Sequence, residues 1–225
     1  MKFKRITVFA GNFGSGKTEL SINFAMNMAE NFENIVLVDL DVVNPYFRSR
    51  QKDEFMKEKG VEVVFPRELQ NADLPVITPD LYKVIQNENI HGVFDIGGDD
   101  DGAVALGSVS RQMKGEDYEM NLVVNTKRPY TSTFSGIKDM KERIEYSSKL
   151  SFDNIICNVN MGRETTVEDI KNGYPLVKEA SKKLGLPIKF IVIRESLLPL
   201  PEDFQPEPEI FPINLHMNPP WVKNM

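Results

Sequence analysis

Residues 11–20 read GNFGSGKTEL, in which Gly11, Gly16, Lys17 and Thr18 satisfy the spacing G-x-x-x-x-G-K-[ST]. An apolar run precedes the motif and an amphipathic stretch follows it, so the motif falls on a turn between a strand and a helix. A loop through Gly11, Asn12, Phe13, Gly14, Ser15 and Gly16 has little side-chain bulk at its glycines. Its successive N–H groups can therefore close around phosphate oxygens while the helix N-terminus adds partial positive charge. Lys17 is expected to reach the β- and γ-phosphates, and the Thr18 hydroxyl to ligate Mg²⁺. Glu19 suits the positive end of the same helix.

Three acids are candidates for the metal side. Asp39 and Asp41 stand two apart at the end of the run NIVLVDLD, which puts them on one face of a strand. Asp95 ends HGVFD, and Gly97 and Gly98 after it leave room for close approach to a γ-phosphate. Two carboxylates roughly 4 Å apart repel by about 4 kcal/mol at an effective dielectric of about 20, a cost that Mg²⁺ removes. The plainer reading is that strand-end aspartates cap the next helix, and it is preferred for Asp99, Asp100 and Asp101. Basic groups that could face a phosphate are Arg48, Arg50, Lys127 and Arg128. The single cysteine, Cys157, lies in an apolar run and reads as a buried structural thiol, and two isolated histidines make a zinc site a poor expectation.

Positioning these groups takes a regular scaffold. Seven short apolar runs, RITVFA, NIVLVDLD, VEVVF, HGVFDIGG, MNLVVNT, DNIICNVN and IKFIVI, read as strands, and their near-continuous hydrophobicity is what burial on both sheet faces demands. Helical stretches alternate with them. Leu20, Phe24, Met28 and Phe32 recur every four residues after the glycine loop, Asn44-Pro45 opens another helix, and others are expected near 79–88, 102–113, 132–149 and 166–184. The order predicts an α/β, doubly wound, mostly parallel seven-stranded sheet with helices on both faces, whose ligands bind beyond the carboxyl ends of the strands. One domain is expected over residues 1–198. The tail 199–225, with seven of the fourteen prolines, is expected to be extended and to pack on the domain through Phe204, Phe211 and Trp221. Net charge of −6 disfavours nucleic acid as a partner, and no apolar run approaches the roughly 20 residues of a membrane span. The short apolar stretch at the N-terminus does not resemble a cleaved signal, so a cytoplasmic address is expected.

GNFGSGKT, VLVDLD and VFDIGG, in this order and over roughly residues 3–195, resemble the P-loop nucleotide-binding ATPases of the CobQ/CobB/MinD/ParA group, in particular MinD/ParA-like ATP-binding proteins. The resemblance implies a P-loop NTPase fold, ATP and Mg²⁺ as ligands, and a nucleotide-dependent homodimer. It also implies that Asp41 orients the attacking water, Asp39 assists around the metal, Asp95 holds the metal through water, and Asn158 reads adenine. No N-K-x-D guanine motif is found, NTKR at 125–128 not being one, so ATP is expected over GTP. Two positions depart from the pattern. Asn12 stands where many members carry a lysine that crosses a dimer, and Glu19 replaces a small hydroxyl residue. Arg48 is the leading substitute for the absent cation. The expected function is an ATPase switch acting on a protein client. The alternative is an ATP-dependent ligase or kinase acting on a small metabolite, as the resemblance to dethiobiotin synthetase implies. DNA partitioning and amidotransfer through Cys157 are less favoured.

Overall fold

The computed structural model describes residues 3–40, 50–64, 79–97 and 100–217, with the side chains of 50–52, 100 and 101 left out. Eight strands, β1 (Ile6–Ala10), β2 (Ile35–Asp39), β3 (Val61–Val64), β4 (His91–Asp95), β5 (Tyr118–Val124), β6 (Asn154–Cys157), β7 (Ile188–Arg194) and β8 (Glu209–Ile213), form one sheet in the order β3-β2-β4-β1-β5-β6-β7-β8. Every pairing is parallel. The seven expected strands are all present. The eighth comes from the proline-rich tail, where Pro212 lacks an N–H and is tolerated because β8 lies at the sheet edge.

The helices are α1 (Lys17–Ala29), α2 (Arg50–Glu58), α3 (Pro79–Gln86), α4 (Asp100–Ser108), α5 (Ser110–Met113), α6 (Phe134–Ser148) and α7 (Val167–Leu184). The single helix expected over 102–113 is two helices, broken at Val109. Alternation along each strand divides the core in two. Val36, Val38 and Leu40 join Phe94 and Ile96 on the face covered by α3 to α7, whereas Ile35, Leu37 and Val93 face α1 and Met56 of α2.

Under α1, Phe24 is fully buried with ring centroids of Phe3, Phe9 and Phe211 at 5.3, 5.0 and 5.7 Å. Phe32 falls beyond the end of α1 and packs edge-on against Phe3 and on the His91 ring at the start of β4. Phe204 and Phe211 of the tail are buried in the two cores, while Trp221 lies outside the described residues. No helix among the described residues is long and apolar enough to cross a membrane.

Candidate nucleotide site

The loop from β1 to α1 is held from outside. A Cβ at Gly11 would come within 2.4 Å of the Val123 carbonyl oxygen on β5, so only glycine lets the loop start this close to the sheet. Gly14 and Gly16 have φ of 73° and 84°, the left-handed region that turns the chain back into α1. Asn125 Nδ2 and Arg128 Nε donate to the Gly14 carbonyl at 3.1 and 2.9 Å. Asn158 Nδ2 and Asn160 Nδ2 donate to the Ser15 carbonyl at 2.7 and 3.3 Å. The Asn12 carbonyl accepts from Ser15 N and from Lys17 Nζ, both at 3.1 Å. With these carbonyls fixed, the peptide planes cannot turn freely, and no side chain among the described residues caps the start of α1 at Gly16.

The Ser15 hydroxyl is buried with no hydrogen-bond partner among the described residues. A buried hydroxyl left unsatisfied costs about 1–3 kcal/mol, which an anionic ligand at the uncapped helix end would recover. Thr18 is half-buried at the first turn of α1. Asp39 and Asp95 are register partners on β2 and β4, 4% and 0% exposed. In-register residues of parallel strands share a face, and alternation puts both carboxylates on the α1 side of the sheet, on neighbouring strands about 4.8 Å apart. Two buried carboxyl groups on neighbouring strands, with a threonine hydroxyl on the covering helix, suit Mg²⁺. That ion takes one or two carboxylates and fills its remaining positions with water and phosphate oxygens. No cluster of three or more His, Cys, Asp or Glu is found among the described residues, so no all-protein metal cage competes with this pair.

Two of the four candidate cations lie among the described side chains, and they separate. Arg128 lies against the glycine loop, its Nε on the Gly14 carbonyl, whereas Lys127 forms an ion pair with Asp169 at 2.6 Å, away from the loop. Lys127 and the Thr166 cap of α7 hold the Asp169 carboxyl down at about 2. Arg48, Asp41 and Gly98 lie outside the described residues, as does the Arg50 side chain. Asn12 is buried against the loop and Phe13 is 66% exposed beside it. Asn158, which the resemblance offers as an adenine contact, donates from its side-chain nitrogen to the Ser15 carbonyl and so braces the loop. Burial pushes the Cys157 thiol up to about 12, the behaviour of an inert core thiol.

Sequence reasoning missed Asn125 and Asn160. Both follow strand ends, and the cue was an asparagine at the carboxyl edge of β5 and of β6, where the topology brings side chains to the loop. It also missed a cavity of about 580 Å³ that opens from Gly14 and Gly16 past Asn158 and Met161 to Arg194, Leu215 and Met217. That volume falls in the range of small-molecule sites. Glu19 lies on its wall, 8% exposed, and burial raises its carboxyl above the usual range while hydrogen bonds from the His216 and Met217 N–H groups act against the rise.

Known structures match the fold. The cell division protein FtsY from Thermotoga maritima superimposes with a TM-score of 0.55 at 22% identity over 84% of this chain and 62% of that one. Chloroplast FtsY from Physcomitrella patens gives 0.56 at 13% identity, over 85% and 59%. The signal recognition particle 54 kDa protein from Aeropyrum pernix, in complex with GDP, gives 0.52 at 20% identity, over 83% and 40%. The chain spans about three fifths of the FtsY chains. Identities this low carry the fold alone, a parallel sheet flanked by helices. They give no support to the narrower CobQ/CobB/MinD/ParA grouping. No protein-family model matches the sequence, and a comparison with curated proteins finds no match.

Proposed function

We propose that this chain binds a Mg²⁺–nucleoside triphosphate, preferentially ATP, hydrolyses it, and uses the change to switch a contact with a protein partner. The observation that carries the reading is the braced glycine loop with its buried, unsatisfied Ser15 hydroxyl and uncapped helix, set beside the in-register Asp39 and Asp95. Lys17 and the loop amides would hold the phosphates, and Thr18, Asp39 and Asp95 would hold Mg²⁺. The ion, when bound, neutralises charge that develops on the phosphate oxygens. Asp41 keeps the water-orienting role that the MinD/ParA-like resemblance implies. Arg128 replaces Arg48 as the favoured cation because its guanidinium already lies on the loop.

ATP is favoured over GTP by residue chemistry. Reading the N1–H and N2–H₂ donors of guanine takes an acceptor, and the fourth position of NTKR is Arg128, which only donates. The structural neighbour bound to GDP argues the other way, so both nucleotides belong in the test. Arg163 and Arg194 also line the cavity, and guanidinium groups suit carboxylates. They support a second reading, transfer of the γ-phosphate to a small carboxylate substrate as in a ligase or kinase. Phosphate release from Mg-ATP and Mg-GTP should be followed with and without a metabolite panel. Steady release without an acceptor supports the switch, whereas a phosphorylated or ligated product formed only with an acceptor rejects it. Sedimentation with a non-hydrolysable analogue tests the homodimer, and an unchanged monomer at saturation removes it.

A further inference from the structure

Glu19 follows directly on Thr18, yet its carboxylate serves the other end of the chain. Its two oxygens accept the backbone N–H groups of His216 at 2.6 Å and Met217 at 3.0 Å. One turn along α1, Asn23 donates to the Asn214 carbonyl and accepts from the Asn214 N–H, both at 2.9 Å. The Asn214 side chain then donates to Glu195 at 2.7 Å, and the His216 ring packs on Phe55 of α2 with centroids 5.5 Å apart. The segment after β8 is thus fastened along the first two turns of the glycine-loop helix. This fastening puts Leu215 and Met217 on the wall of the cavity that begins at Gly14 and Gly16.

We infer that Asn214–Met217, held in place by Glu19, is the surface against which the nucleoside of the bound nucleotide packs, so that this segment selects the nucleoside while the glycine loop holds the phosphates. The inference rests on the nucleotide reading above. Leucine and methionine offer an apolar, polarisable face to a planar base, and a thioether against an aromatic ring is favourable. The cavity continues from the loop toward this wall, so phosphates at the loop direct the rest of the nucleotide along it. Glu19 acts here as a positioning residue through two hydrogen bonds to charged oxygen, the stronger kind.

The test compares calorimetric affinities for Mg-ATP, Mg-GTP and Mg-tripolyphosphate in the full chain and in the Leu215→Ala/Met217→Ala and Glu19→Gln variants. Thermal unfolding of each variant checks that it is folded. Both variants should weaken the preferred nucleoside triphosphate by about tenfold while changing tripolyphosphate affinity less than about twofold, since only the nucleoside loses contacts. Glu19→Gln should also speed amide exchange at His216 and Met217. Equal losses for nucleotide and tripolyphosphate, or no loss for either, overturn the inference. Wild-type protein that binds tripolyphosphate as tightly as ATP and GTP also overturns it, yet leaves the phosphate loop standing. Wild-type protein that binds none of the three overturns the nucleotide reading itself.

Discussion

At the glycine-loop end of the cavity, the proposed chemistry comes from one eight-residue motif and from two acids on neighbouring strands. At the far end, the wall is assembled from Met161, Arg194, Leu215 and Met217, residues from a loop, the end of β7 and the tail. The first arrangement is local and fixed by backbone geometry, with glycines at φ of 73° and 84° and carbonyls tied by Asn125, Arg128, Asn158 and Asn160. The second depends on one buried carboxylate catching a segment 197 positions away. On the proposed reading, phosphate binding would persist while the distant wall changes, and the nucleoside or partner would change without rebuilding the loop.

The sharpest way to break this contrast is Arg128→Ala. If Arg128 supplies the cation at the phosphate end, hydrolysis should fall by on the order of 10³-fold with nucleotide affinity nearly kept. Unchanged turnover returns the role to Arg48 or Arg50. Asn158→Ala, which strips the 2.7 Å hydrogen bond from the Ser15 carbonyl, should destabilise the fold by about 1–3 kcal/mol and weaken tripolyphosphate together with nucleotide. Weakening of the nucleoside triphosphates alone would show instead that Asn158 reads the base.

The smallest effect belongs to Lys127→Ala, which removes the ion pair to Asp169 outside both ends. The folded-state pKa of Asp169 lies below its unfolded value, so its contribution is complete above about pH 4 and lost as pH falls toward 2. The variant should lose less than about 1 kcal/mol at neutral pH, unfold at slightly higher pH on acid titration, and hydrolyse normally. A loss of hydrolysis in this variant would place Lys127 in the site.

The strands were legible because parallel strands buried on both faces leave unbroken apolar runs, and the glycine loop between β1 and α1 because its glycines and lysine obey a fixed spacing. β8 was not, since EIFPI carries a proline and lies at an edge, where the pattern is weak. A strand-end asparagine such as Asn158 can serve a base or a backbone carbonyl, and only the fold brings Ser15, 143 positions away, within its reach. Glu19 was read as a companion of the helix dipole, although its oxygens are committed to N–H groups of the tail. Neither periodicity nor motif spacing encodes that contact.

The central claim is that the braced loop holds the phosphates of a magnesium-bound nucleotide. Calorimetric titration of the full chain with Mg-ATP and Mg-GTP, repeated on Lys17→Ala, tests it most directly. The account predicts saturable heat for at least one nucleotide, lost on chelation of magnesium and weakened by at least about 100-fold in the variant. No heat and no thermal stabilisation with either nucleotide at millimolar concentration, or undiminished binding by Lys17→Ala, would contradict it.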